Sequence, residues 1–235
     1  MGAIERLEGS QGASRLLPVE GVGSVTPPQI ISGITDLPHS ERGMRIGLFG
    51  GSFNPVHAGH VLVAEQALQK LELDAVWVMV TPGNPLKSHG ELAPLSERVL
   101  AARKLMRHPA LTVTGFEAAK GFTYSFETID FLKSRLPGRR FVWIMGADSM
   151  VSFHRWERWQ EMAAMVPLAI YARPGFSWLA PTSLAGTYLG RFRLDESDAS
   201  LLADCRPPAW VYLHGLMSSL SSSAIRHRLA GDGGQ

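Results

Sequence analysis

Cysteine is almost missing from this 235-residue chain. Cys205 stands alone, which excludes an internal disulfide framework and a multi-cysteine zinc site. A charge excess is missing too: 23 Lys+Arg face 21 Asp+Glu, for a formal charge of +2. A dedicated nucleic-acid binder would show clustered Lys and Arg, so nucleic acid is not an expected partner. The pI of about 8.9 still suits a small polyanionic substrate. No long apolar run exists. The longest, Met162–Ala172, is interrupted by Pro167 and falls short of the ~20 residues a bilayer span requires. The N-terminus has no basic head followed by an apolar stretch, so no secretory signal is expected. These absences leave a soluble cytoplasmic protein with a reduced thiol as the default, with no membrane partner and no indication of oligomeric state.

Aromatics are absent from the first 43 residues, of which 16 are Gly, Pro or Ser, whereas the whole chain has 20 Phe, Trp and Tyr. Without large apolar side chains such a segment buries too little surface to offset the entropy of ordering. Residues 1–43 are therefore expected to be a flexible extension, with a docking arm as the alternative, and residues 44–235 to form one domain.

From Met44 onward, apolar runs alternate with helical periodicity. Strands are expected at Arg45–Phe49, Ala75–Val80, Leu111–Thr114, Phe141–Met145, Leu168–Tyr171 and Trp210–His214. Helices are expected at Gly59–Leu71, Leu95–Met106 (with Ser96 as a possible N-cap), Ser125–Leu136, Trp156–Met165 and Ser222–Leu229. This alternation predicts an α/β fold built on a mostly parallel sheet. The fully apolar Ala75–Val80 fits a strand covered on both faces. Residues 176–207 read as an irregular surface excursion.

In such sheets ligands bind beyond the carboxyl ends of the strands, and the segments expected there are polar. After the first strand comes Gly50-Gly51-Ser52-Phe53-Asn54-Pro55-Val56-His57-Ala58-Gly59-His60. Paired glycines allow a backbone to turn closely around a phosphate, and a following helix offers unpaired N–H groups and its positive dipole end. His57 and His60, three residues apart at that helix start, face the same way. Other ends carry Lys87, Asp148, Arg173 and the Ser221–Arg226 run. Each feature has a plainer reading. The glycines fit any strand-to-helix turn, and Lys87 fits a solvated surface. Asp148 fits a helix cap, the serines fit an N-cap, and Trp156 with Trp159 fit the core. A His-x-x-His pair also suits zinc, but no third ligand follows at short spacing. The functional reading gains because the features converge on one sheet edge.

Gly47-Leu48-Phe49-Gly50-Gly51-Ser52-Phe53-Asn54-Pro55-Val56-His57-Ala58-Gly59-His60 resembles the GxFGGxFxPxHxGH signature of the HxGH nucleotidyltransferases, and Leu220–Arg226 resembles their ISSTxIR motif. Asn84–Lys87, Thr123-Tyr124-Ser125 with Thr128, Gly146–Ser149, Trp156 and Arg173-Pro174-Gly175 are most similar to the bacterial nicotinate-mononucleotide adenylyltransferases. Asn54 stands where many members have Asp, and Ser52 and Ser223 where many have Thr.

The resemblance implies a single-domain, Rossmann-like, doubly wound parallel sheet. It also implies transfer of AMP from ATP to nicotinate mononucleotide with Mg²⁺ held mainly by the ATP phosphates. It places Gly50, Gly51, Ser52, Phe53, Gly146, Asp148, Arg173, Ser222 and Ser223 around ATP. His57, His60, Lys87 and Arg226 fall on the polyphosphate, and Ser125, Trp156 and Asn84 around the mononucleotide. The competing readings are a phosphopantetheine adenylyltransferase or cytidylyltransferase of the same superfamily, a non-catalytic nucleotide sensor and a class I aminoacyl-tRNA synthetase fragment. Chain length and Trp156 disfavour the first two, the retained histidines and Arg226 the sensor, and the lack of room for an anticodon-binding region the last.

Overall fold

The computed structural model describes residues 33–83, 92–176, 178–215 and 222. Seven strands form one parallel sheet: β1 (Arg45–Gly51), β2 (Ala75–Val80), β3 (Leu111–Thr114), β4 (Arg140–Gly146), β5 (Leu168–Tyr171), β6 (Arg193–Leu194) and β7 (Trp210–Leu213). Their order is β3-β2-β1-β4-β5-β7-β6, and every neighbouring pair is parallel. The order reverses between β1 and β4, where the chain winds outward in both directions. Such a reversal opens a crevice at the carboxyl ends of the two strands.

Alternation along the strands divides the core in two. Phe49, Val76, Val78, Val142, Ile144 and Val211 face one side, with α1 (Ala58–Lys70), α2 (Leu95–Leu105) and the 3-10 stretch Glu196–Asp204. Ile46, Leu48, Trp77, Met79, Phe141, Trp143 and Trp210 face the other. That side is covered by α3 (Phe116–Lys120), α4 (Ser125–Arg135), α5 (Ala147–Ser152), α6 (Trp159–Met165), α7 (Leu179–Thr182) and α8 (Leu184–Tyr188).

Four expectations are corrected. The excursion at 176–207 is part of the domain: Ala180, Ala185, Leu189, Ala199 and Leu202 are buried, and Arg193–Leu194 adds an edge strand. Its small apolar residues come in turns too short to show a helical period. Pro94, with φ fixed at −49°, is the N-cap of α2, so Ser96 lies inside the helix. The expected helix from Trp156 is broken at Arg158, which sits in the left-handed region with φ 51°, and α6 starts at Trp159. Residues 33–43, assigned to the extension, pack on the domain. Ile34 is buried, and its carbonyl accepts from Gly115 N–H at 2.8 Å. Thr114 Oγ1 donates to the Asp36 carbonyl at 2.7 Å, and Arg139 Nη2 to that of Ser40 at 2.8 Å. Backbone pairing anchors this strap where aromatic burial does not. Residues 1–32, and the expected last helix beyond Ser222, lie outside the described residues.

Removal of residues 1–43 should therefore lower the melting temperature relative to removal of residues 1–32. The loss is about 2 kcal/mol, from re-exposing the Ile34 site alone. Equal melting of the two truncated proteins would remove the strap from the account.

Candidate active site at the ends of β1, β4 and β5

β1 runs out at Gly51, and the chain turns across Ser52–Val56 into α1. The residue strained in this turn is not a glycine. Phe53 has φ 46°, while Gly50 and Gly51 stay out of the left-handed region. The glycines serve close approach instead. A Cβ on Gly50 would lie 3.2 Å from the Trp143 ring, and one on Gly51 3.2 Å from the Phe53 ring. Phe53 in turn packs edge-on to Phe49 at 5.5 Å and to His60 at 4.9 Å between ring centroids.

His57 occupies the N-cap of α1 with extended backbone, and His60 is three residues in. The two imidazoles stack at 3.8 Å between centroids, tilted by 33°. His57 N–H donates to His60 Nδ1 at 3.2 Å. That acceptor role leaves the His60 proton on Nε2, so its outer nitrogen is a donor. Both ring nitrogens of His57 are buried without a hydrogen-bond partner among the described residues. Burial, and secondarily the Arg173 guanidinium, holds the His57 pKa below the usual histidine value. Both influences favour the neutral imidazole, a hydrogen-bonding group rather than a fixed charge. A buried polar group left unpaired costs ~1–3 kcal/mol, which a ligand would relieve.

Across the crevice, Gly146 ends β4 and caps α5. A Cβ there would lie 2.5 Å from Asp148 Oδ1, so any larger residue would push that carboxylate from its place. Asp148 makes no cap. Its Oδ2 accepts from Arg173 Nη1 at 2.9 Å, which joins the ends of β4 and β5, and its Oδ1 is buried without a partner among the described residues. Ser222 Oγ donates to the Pro55 carbonyl at 2.9 Å, which brings Ser222 onto the first turn from 167 positions away.

Trp156 is half-buried. It packs edge-on to Trp143 at 6.3 Å and to Phe153 at 5.3 Å, and Trp143 itself lies against Gly50. Ser125 opens α4, and the Arg158 guanidinium sits 3.7 Å over the Phe126 ring, tying the Trp156 segment to that helix start. Asn84, Lys87, Ser223 and Arg226 lie outside the described residues.

Two structural groups were not foreseen. Arg98 is buried and bridges the loops after β1 and β2. Glu117, also buried, accepts from Thr128 Oγ1 at 2.6 Å and joins α3 to α4. Each is a polar residue on an otherwise apolar face (Leu95, Val99, Ala102 for Arg98; Phe116 and Ala118 beside Glu117), and that interruption was the available signal.

Among the described residues no group of three or more His, Cys, Asp or Glu could hold a metal ion, and no helix is long and apolar enough to cross a membrane. Among the described residues the crevice carries His57, His60 and Arg173 against one carboxylate, Asp148, already paired with Arg173. This donor set does not cage a divalent cation; it fits one that arrives on phosphate oxygens.

Comparisons with known proteins bear on the family and the fold. Residues 48–228 match the cytidylyltransferase-like family. A Mesorhizobium japonicum protein named "Probable nicotinate-nucleotide adenylyltransferase" is 53% identical over 195 residues, covering 83% of this chain and all of that protein. A protein of the same name from Methylorubrum extorquens is 52% identical over 185 residues, 79% of this chain and all of its own length. Among solved structures, Plasmodium falciparum nicotinic acid mononucleotide adenylyltransferase complexed with NaAD shares the fold. Its TM-score is 0.59 at 18% identity, over 78% of this chain and 83% of that one. With its HxGH turn, its parallel sheet and relatives matched over their full length, the chain belongs to the nicotinate-nucleotide adenylyltransferases of the cytidylyltransferase-like family.

Proposed function

We propose that this enzyme transfers AMP from ATP to nicotinate mononucleotide, giving nicotinate adenine dinucleotide and pyrophosphate, a step of NAD biosynthesis in the cytoplasm. The observation that carries the reading is the stacked His57–His60 pair at the head of α1. His57 of this pair is buried with both ring nitrogens partnerless among the described residues, and His60 is half-buried. Arg173, paired with Asp148, acts electrostatically on His57, and Ser222 bonds to Pro55 of the same turn.

The chemistry needs no covalent intermediate. An oxygen of the mononucleotide phosphate attacks the α-phosphorus of ATP, the bond to the β-phosphate oxygen breaks, and pyrophosphate leaves with the electron pair. Two anions must be brought together, so positioning and preorganised donors are the means. His60 Nε2–H contacts the oxygens that gain charge, and His57 supplies a second neutral contact beside it. Gly50, Gly51, Ser52 and Phe53 line the phosphates. Gly146, Asp148 and Arg173 hold the adenosine end, where Asp148 Oδ1, without a partner among the described residues, suits a ribose hydroxyl. Ser222 and Ser223 with Arg226, and Lys87 on the loop after β2, complete the polyphosphate site. Mg²⁺, carried by the triphosphate, would neutralise part of its charge. Trp156, Ser125 and Asn84 receive the mononucleotide.

The test is pyrophosphate release from Mg-ATP with nicotinate mononucleotide, nicotinamide mononucleotide and phosphopantetheine side by side. Nicotinate mononucleotide is expected to give the highest kcat/KM, and preference for phosphopantetheine would overturn the reading. The pyridine nitrogen of the mononucleotide is cationic, and tryptophan is the strongest aromatic partner for a cation. Trp156→Ala is expected to raise KM for the mononucleotide roughly 3- to 30-fold while KM for ATP stays near normal. Equal rises in both would confine Trp156 to packing against Trp143 and Phe153.

A further inference from the structure

Arg98 lies on the buried face of α2 and is only 4% exposed. Its partners are all main-chain carbonyls: Ser52 at 2.7 Å, Thr81 at 2.8 Å and Ala93 at 2.8 Å. No carboxylate pairs with it among the described residues. Burying a guanidinium against neutral acceptors is expensive, and a well-packed apolar side chain would serve stability at least as well. What only a planar fork can do is hold several carbonyls in fixed directions at once. The three segments it holds meet beyond the ends of β1 and β2, and Ala93 N–H adds a contact to Asn54 Oδ1 at 3.4 Å.

The direction imposed on Ser52 matters most. In a trans peptide the C=O and the following N–H point opposite ways. The Ser52–Phe53 bond is not among the cis bonds of the chain. Arg98 draws the Ser52 carbonyl to the β2 side of β1, since the same Nη1 also reaches the Thr81 carbonyl. The Phe53 N–H is thereby turned toward the β4 side, where the strand order reverses and the crevice opens. Phe53 adopts φ 46°, a conformation that costs an ordinary side chain ~1–3 kcal/mol and persists only when its surroundings impose it. The Arg98–Ser52 hydrogen bond is one such restraint, and the contacts of the Phe53 ring with Phe49 and His60 are another.

We propose that Arg98 is a positioning residue for adenylyl transfer: by holding the Ser52 carbonyl it maintains the Phe53 turn and aims the Phe53 N–H at the anionic oxygens of the bound polyphosphate. The inference rests on the polyphosphate reading of the crevice. Arg98 touches no substrate; it acts through the backbone it orients.

Arg98→Lys separates geometry from charge, because the ammonium keeps the positive charge and loses the fork. The variant should fold, with a melting temperature within a few degrees of the parent. Its kcat with ATP and nicotinate mononucleotide should fall about 10²-fold, the order expected for a displacement of about 1 Å in a reacting array. A kcat within threefold of the parent would overturn the proposal. A second measurement does not depend on the variant folding. With ¹⁵N-phenylalanine labelling, the parent's Phe53 amide resonance should shift on titration with inorganic pyrophosphate, and an unmoved resonance would also overturn the proposal. Failure of the parent enzyme to use nicotinate mononucleotide would instead count against the assigned reaction, because the amide titration reads the Phe53 N–H whatever the acceptor substrate is.

Discussion

Replacing His60 by alanine should reduce kcat ~10²–10³-fold, the usual cost of removing one preorganised donor to developing negative charge. The fold should survive. His60 is only half-buried, and the main structural loss is the acceptor for the His57 N–H, which is worth about 1 kcal/mol as a helix cap. A melting curve near that of the parent, together with collapsed turnover, is the expected pair of results. His60→Ala with near-normal turnover would remove His60 from the reaction. Because His57 stacks on His60 at 3.8 Å and donates to it, the His57→Ala/His60→Ala double variant should lose less than the product of the single losses.

The second large effect concerns stability against pH. Burial pushes the Glu117 carboxyl up to about 7 from its ordinary 4.5, and the hydrogen bond from Thr128 only partly opposes this. The folded state therefore binds this proton more tightly than the unfolded chain. The stabilisation is complete below pH 4.5, is lost as pH rises through 7, and is gone above it. A shift of this size corresponds to about 3 kcal/mol between the two limits. Glu117→Gln keeps an acceptor for the Thr128 hydroxyl and cannot ionise. Urea unfolding at about pH 5 and about pH 8, on either side of that window, should show the parent weakening at the higher pH and the variant nearly level. Matching slopes for the two proteins would mean that Glu117 stays neutral or stays charged across that range. On the proposed reading the effect would extend to the mononucleotide site, since Glu117 ties α3 to α4, whose first residue is Ser125.

Much of the sheet was legible from the chain because its central strands are continuous apolar runs. Ala75–Val80, Leu111–Thr114 and Leu168–Tyr171 begin and end as expected. The polar segments beyond them carried the site. Of those segments, Asp148 pairs with Arg173 at the ends of β4 and β5, and Ser222 bonds to Pro55 in the turn after β1. What could not be read follows from the physics of each miss. α3 and α5 span five and six residues, too few to display a period. Arg158 ends the Trp156 stretch by a left-handed backbone angle that its residue type does not announce. The turn looked as if it depended on glycine flexibility, whereas the strain sits on Phe53 and the glycines make room for rings. Arg98 binds only carbonyls, and main-chain acceptors leave no residue type in the sequence to pair with it.

The hydrogen bond from Ser222 to Pro55 has a bearing on biogenesis. Chains emerge from the ribosome N-terminal end first, at ~5–20 residues per second. Ser222 lies downstream of the seven strands of the described residues, so that sheet can be complete before the proposed nucleotide site has its Ser222 side. On the proposed reading, a nascent chain at that stage would have no finished grip on ATP and would gain none of the stabilisation that ligand binding gives a mature fold. Nucleotide engagement would thus, on that reading, be withheld until translation has passed Ser222, beyond the seven strands of the described residues.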